Sequence, residues 1–272
     1  MLTDFHIHSN CSSDGFDTML DMARASGERG VAVVCFTDHC DLDHYTTGKP
    51  DPSCFDYWPG ALEQYREARA AGLTLPEVRI GIELGEACHD AGRAAEIAGT
   101  PELDFVLGSL HSIRGECDFY CLPYESREHC VDLMHRYLAE LTETAALPFV
   151  DVIAHIGYTR RYMMKAGFDV RADMASFGDE LDLLLRTAVE NGTGIEVNTS
   201  GLRNALIGET IPGFDVVRRY RELGGEIITL GSDAHMVSDA GGGLREGLEL
   251  IRNAGFRYIT GFKNRKPEFI RI

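Results

Sequence analysis

Five histidine-bearing stretches carry the chemistry of this chain. They are His6-Ile7-His8, Thr37-Asp38-His39, Ser109-Leu110-His111, Ala154-His155 and Ser232-Asp233-Ala234-His235. Glu83 ends the apolar run Val78–Glu83, and Asp14 follows shortly after the first histidine pair. Imidazole with carboxylate, and no thiolate, suits Zn²⁺, Mn²⁺ or Fe²⁺ better than a structural Cys₄ zinc. Residues two apart on a strand point to the same side, so His6 and His8 reach one ion together. Asp233 and His235 do the same if the backbone turns there. An HxH pair alone is weak; the coincidence of all these positions carries the reading. His44, His89, His129 and His135 fall in loops or on helices and read as ordinary histidines.

These residues share one structural property: almost every one closes an apolar run. The runs Leu2–Ile7, Val31–Phe36, Val78–Glu83, Asp104–Leu110, Phe149–His155, Gly194–Asn198, Glu226–Leu230 and Arg257–Thr260 are nearly continuous in Val, Ile, Leu and Phe. That is the pattern of strands buried on both faces. Helical stretches alternate with them: Thr18–Arg29, Gly60–Ala71, Glu125–Ala146, Met174–Asn191, Pro212–Leu223 and Leu244–Asn253. Gly30, Gly72, Gly192, Gly224 and Gly255 stand where helix C-termini want glycine, and Pro212 suits a first helical turn. Repeated β-then-α units imply an α/β fold, a closed (β/α) barrel, with a doubly wound sheet as runner-up. In a barrel the strand ends converge on one mouth, where active sites sit. The irregular stretch Cys40–Pro59 is long for a loop in a compact domain and is expected to wall the site.

The chain has 272 residues with a net charge of −17. Such a surface repels nucleic-acid phosphates and anionic lipid, which excludes a non-specific nucleic-acid or membrane binder. No apolar run reaches the roughly 18 residues of a membrane span, and the N-terminus lacks a signal-peptide pattern, so a cytoplasmic protein is expected. Eight scattered cysteines without a CxxC pair read as free, mostly buried thiols.

The order HxH, TDH, GxE, GSxH, AH and a late GSDAH resembles the polymerase-and-histidinol-phosphatase (PHP) superfamily. Within it the chain looks most like the monofunctional histidinol-phosphate phosphatases. The resemblance implies a distorted (β/α)₇ TIM-like barrel, a single domain over residues 1–272, and three divalent ions (Zn, Mn or Fe). It implies one ion on His6, His8, Glu83 and Asp233; a second bridged by Glu83 to His111 and His155; and a third on Asp14, His39 and His235. Some family members carry histidine where this chain has Asp14. The implied reaction is hydrolysis of L-histidinol phosphate, a small phosphomonoester, with Glu83, His39 and Asp233 as catalytic groups. His39 is also one option for protonating the leaving group. The physics agrees: three divalent ions against three carboxylates leave a formal charge of about +3, which attracts a phosphate dianion. Nucleotides, short oligonucleotides or another small phosphomonoester are the alternative substrates. A catalytically degenerate binding module is disfavoured because all nine ligand positions are filled.

Arginines in the loops after the fifth and sixth strands are suited to bidentate phosphate contact. Arg160 and Arg203 are the preferred pair, Arg161 the lesser, and Asn198 joins them through its resemblance to the post-strand stretch of histidinol phosphatases. Asp41, His44, Trp58 and Tyr158 are the candidates for the rest of the substrate. Glu196 reads as a support without an assigned partner. Asp38 is either a group orienting His39 or a solvated loop residue.

Overall fold

The computed structural model describes residues 1–272. In chain order its first half runs β1 (Leu2–Ile7), α1 (Met19–Glu28), β2 (Val31–Phe36), β3 (His39–Asp41), β4 (Asp43–His44), β5 (Lys49–Pro50), α2 (Trp58–Ala70), β6 (Glu77–Gly85), α3 (Ala91–Ala98), β7 (Phe105–Ser109) and α4 (Arg127–Ala145). The second half runs β8 (Val152–Ile153), α5 (Arg160–Lys165), α6 (Gly178–Asn191), β9 (Gly194–Asn198), α7 (Ser200–Arg203), α8 (Phe214–Glu222), β10 (Ile228–Gly231), α9 (Leu244–Asn253), β11 (Tyr258–Lys263) and β12 (Lys266–Arg271). Strands β1-β2-β6-β7-β8-β9-β10 lie side by side in parallel, and β3 also pairs with β6. The ends of this sheet meet: the Asp233 amide donates to the His6 carbonyl (2.7 Å) and the His8 amide to that of Ala234 (2.9 Å). The result is a nearly closed, distorted (β/α)₇ barrel.

Strand β6 shows how the pattern works. Val78, Ile80, Ile82 and Leu84 face the surrounding helices, while Arg79, Gly81 and Glu83 alternate with them on the inner side. The barrel interior is small and apolar at its base, filled by Phe5, Val33, Cys35, Phe105, Leu107, Val152, Ala154 and Phe262. Above this plug the strand-end polar residues gather. Glycines after α1, α2, α6, α8 and α9 take positive φ, as the helix ends require.

Four sequence readings need correction. Arg257–Thr260 is no barrel strand; it opens the antiparallel hairpin β11–β12, whose turn at Asn264 and Arg265 has positive φ at both residues. That hairpin delivers Phe262 to the barrel base, 5.0 Å from the Phe105 ring. The run Phe149–His155 keeps only Val152–Ile153 as strand, because the His155 amide turns to the Glu196 carboxylate (2.8 Å). Pro212 lies ahead of its helix, which starts at Phe214. All eight cysteines are free, but only Cys35, Cys40 and Cys130 are buried; four are partly exposed and Cys121 is exposed, so the expectation of mostly buried thiols does not hold.

Candidate metal centre

All nine residues read as metal ligands meet at the C-terminal mouth of the barrel. A register irregularity in β1 between Asp4 and Ile7 lets both Phe5 and His6 face inward. Glu83 stands at the centre. Its Oε1 lies 2.9 Å from His155 Nε2 and 3.1 Å from His111 Nε2; its Oε2 lies 3.2 Å from His6 Nε2, 3.5 Å from His8 Nε2 and 3.0 Å from His39 Nδ1. Asp233 Oδ1 is 3.8 Å from His6 Nε2 and 3.6 Å from His8 Nε2. Asp233 has φ +53, so the backbone does turn there, and His235 swings round to the same side. On the outer side, Asp14 sits 3.2 Å from His235 Nε2 and 3.6 Å from His39 Nε2.

The hydrogen bonds behind the imidazoles decide which nitrogens point inward. His6 Nδ1–H donates to Glu196 Oε1 (2.8 Å), and His111 Nδ1–H donates to Asp41 Oδ1 (2.9 Å). The Ser12 hydroxyl donates to Asp38 Oδ1 (2.7 Å), so its oxygen accepts from His8 Nδ1–H (3.1 Å). With Nδ1 protonated in both rings, the Nε2 lone pairs of His6 and His8 face each other at 3.0 Å, beside two carboxylates. A cation between them makes that arrangement favourable, and a divalent ion there would displace the proton that the surrounding carboxylates draw onto His6. Carboxylate-backed imidazoles are the usual second layer of a metal site. The donor set therefore fits divalent metal ions.

Electrostatics agrees. Burial pushes the Glu83 carboxyl up, but the imidazoles of His6, His111 and His39 outweigh it and hold it well below the usual range. Asp233 is likewise held low, burial being outweighed by His6 and His8. Burial lowers His6, yet Glu196, Glu83 and Asp233 draw its pKa well above the ordinary value. The cluster thus attracts positive charge. His8 stays neutral, pushed down by burial and by the facing His235 and His39, as a ligand must be.

Above the cluster opens a cavity of about 570 Å³ lined by Glu83, His111, His155, Asp233 and His235 on its floor. The stretch 40–59 does form a wall, contributing Asp41, Asp43, His44, Tyr45, Asp51, Cys54 and Tyr57, faced by Asp118, Tyr120, Tyr158 and Tyr162. The arginine readings change. Arg160 is buried and turned outward onto Asp169 (2.7 Å) and Glu209 (2.6 Å), away from the cavity. Arg203 holds the carbonyls of Ser232 (2.7 Å) and Gly242 (3.1 Å), bracing the turn that carries Asp233. Asn198 is fully buried, donating to Asp233 Oδ2 (3.3 Å) and Glu196 Oε2 (3.2 Å), so it too is a brace. Arg161 is the arginine in the cavity, 3.5 Å from Asp233 Oδ2 and stacked 4.6 Å over the Tyr158 ring. Trp58 packs into the core beside Phe55 and leaves the cavity to its neighbours.

A PHP domain profile matches residues 4–200. This chain belongs to the PHP family. Probable histidinol-phosphatases of Clostridium acetobutylicum (26% identical, spanning 95% of this chain and 96% of the relative) and Deinococcus radiodurans (27% identical, 98% of each) are similar over nearly their full length. In structure the chain is similar to a histidinol phosphate phosphatase of Lactococcus lactis solved with zinc, L-histidinol and phosphate. The TM-score is 0.80 at 21% identity, covering 98% of both chains.

In this PHP domain the supporting groups were legible in part, but the rings they support were not. Glu196 is the carboxylate behind His6, and Asp38 acts through Ser12 on His8, neither on the His39 ring nor in solvent. His39 has Nδ1 3.0 Å from the Glu83 carboxylate and Nε2 3.6 Å from that of Asp14, a position that suits a ligand. Gly85 and Gly231 are places of close approach: a Cβ would collide with Asp41 at the first and with Glu196 and His6 at the second. Glycine at strand ends beside polar residues was the available signal for both.

Proposed function

We propose that this PHP chain is a metal-dependent phosphomonoesterase that hydrolyses L-histidinol phosphate to L-histidinol and phosphate. The observation that carries the reading is a cavity lined by two sets of groups of opposite character. One is the nine-residue cluster with Arg161 beside it; the other is a set of carboxylates, Asp43, Asp51 and Asp118, among tyrosines. A phosphate dianion matches the first and the amine and imidazole of histidinol match the second.

His6, His8, Glu83 and Asp233 would hold one ion, Glu83 with His111 and His155 a second, and Asp14 with His39 and His235 a third. Divalent ions bound there supply Lewis acidity toward phosphoryl oxygens and a water nucleophile at neutral pH. The protein's own part is positioning. Arg161 is fixed by the Ser200 hydroxyl (3.1 Å) and by stacking on Tyr158, so its guanidinium binds phosphate with little rearrangement. Tyr158 lies against His155 (ring centroids 4.8 Å apart) and bonds the Tyr162 hydroxyl (2.7 Å), closing one side of the cavity.

The test is phosphate release by Mn²⁺-, Zn²⁺- or Fe²⁺-loaded protein from L-histidinol phosphate, p-nitrophenyl phosphate and a short oligonucleotide. The reading predicts a kcat/KM above about 10⁴ M⁻¹s⁻¹ for histidinol phosphate, far ahead of both comparators. Slow hydrolysis of all three alike would overturn the substrate and leave the metal site standing.

A further inference from the structure

We infer that His89, seated between Asp43 and Glu140, is a positioning residue that holds the carboxylate wall of the cavity. Its Nδ1 lies 2.6 Å from Asp43 Oδ2 and its Nε2 lies 2.6 Å from Glu140 Oε2. A neutral imidazole donates from one nitrogen only, so two carboxylates this close require both nitrogens to carry protons. Cys88, His89 and Glu140 also group as three possible metal ligands. The spacing argues for a proton instead: 2.6 Å is the length of a short charge-assisted hydrogen bond, and with Nδ1 donating to Asp43 and Nε2 to Glu140 the ring keeps no lone pair for an ion. The side chains of His89 and Asp43 are both nearly buried.

The wall needs such a tie. Strands β4 and β5 have two residues each, and a hairpin that short has little stability of its own. Asp43 is in β4, next to cavity residues Asp41 and His44. Glu140 is on the long helix α4 and also accepts the Arg114 amide (3.0 Å), while the Arg114 guanidinium bonds the Cys88 carbonyl (2.8 Å). His89 therefore fastens a weak hairpin to a rigid helix. The clamp rests on the proposed reading only for the identity of the molecule that the wall receives.

The experiment compares metal-loaded wild type with His89→Gln, which keeps one donor and loses the charge. Loss of a charge-assisted hydrogen bond predicts a KM for L-histidinol phosphate raised about tenfold, with kcat, metal content and p-nitrophenyl phosphate hydrolysis within about twofold. Amide hydrogen exchange should accelerate over residues 41–57 and nowhere else. Nitrogen-15 NMR of the wild type at pH 8 should show a doubly protonated ring that the variant lacks. Unchanged exchange over 41–57, or parallel loss of metal and of activity on both substrates, would overturn the clamp. A wild type that does not prefer histidinol phosphate would refute the substrate reading, and the exchange data would still decide the clamp.

Discussion

Two clusters of histidine and carboxylate lie on either side of the same cavity wall, and they work in opposite ways. At the barrel mouth, His6 and His8 turn lone pairs toward each other, with their N–H groups already used behind them. At the wall, both His89 nitrogens face carboxylates at 2.6 Å. The first arrangement leaves a gap for a metal ion; the second is filled by protons. Residue type is the same in both. What differs is how many acceptors surround each ring, and whether a partner behind the ring has taken its proton.

The mouth is broken most severely through its shared ligand. Glu83→Ala should lower both bound metal and kcat/KM by more than about a hundredfold, because it removes the proposed shared ligand rather than one of its supports. Elemental analysis beside turnover checks it, and near-wild-type values for both would contradict the assignment. The arginines sharpen the boundary between cavity and scaffold. Arg161→Ala should cost about 10- to 100-fold in kcat/KM, the worth of a charge-assisted hydrogen bond, whereas Arg160→Ala should leave kcat/KM within about threefold. Glu196→Gln tests the layer behind the proposed ligands: metal affinity measured by competition with a chelator should fall about tenfold as the acceptor behind His6 loses its negative charge.

The smallest effect separates the clusters by pH. Burial pulls the His89 imidazole down, but Cys88, Glu140 and Asp43 outweigh it and push it up to about 11. The folded chain thus holds a proton that the unfolded chain releases near its ordinary value of roughly 6.5. The stabilisation is complete below that value and fades as pH rises from about 6.5 toward 11. Wild type should melt about 2–4 °C above His89→Gln near pH 6, with the gap shrinking steadily toward pH 10. A gap that widened with pH would reverse the charge assigned to His89.

The mouth was readable in the sequence because each ligand closes a strand or follows one, and a barrel brings strand ends together whatever its details. β1, β2 and β9 match their apolar runs to the residue for the same reason. Side-chain direction in the loops was not readable. Arg160 and Arg161 open the same short helix, where neighbours point about 100° apart. Asp169 and Glu209, both distant from the motif, capture the first. His89 depends on partners at positions 43 and 140, so nothing near it in sequence marks it. Arg257–Thr260 was read as a barrel strand because it does open a strand, β11, and its Ile259 and Thr260 are as buried as barrel-strand residues; only its pairing with β12 sets it apart.

The most direct test of the account is a metal census with positions: anomalous diffraction from crystals of Mn²⁺- or Zn²⁺-loaded protein, with elemental analysis of the same batch. Three ions per chain are expected, all at the mouth and two of them sharing Glu83, and none between Cys88, His89 and Glu140. A single ion at the mouth, or any ion at His89, would contradict this expectation.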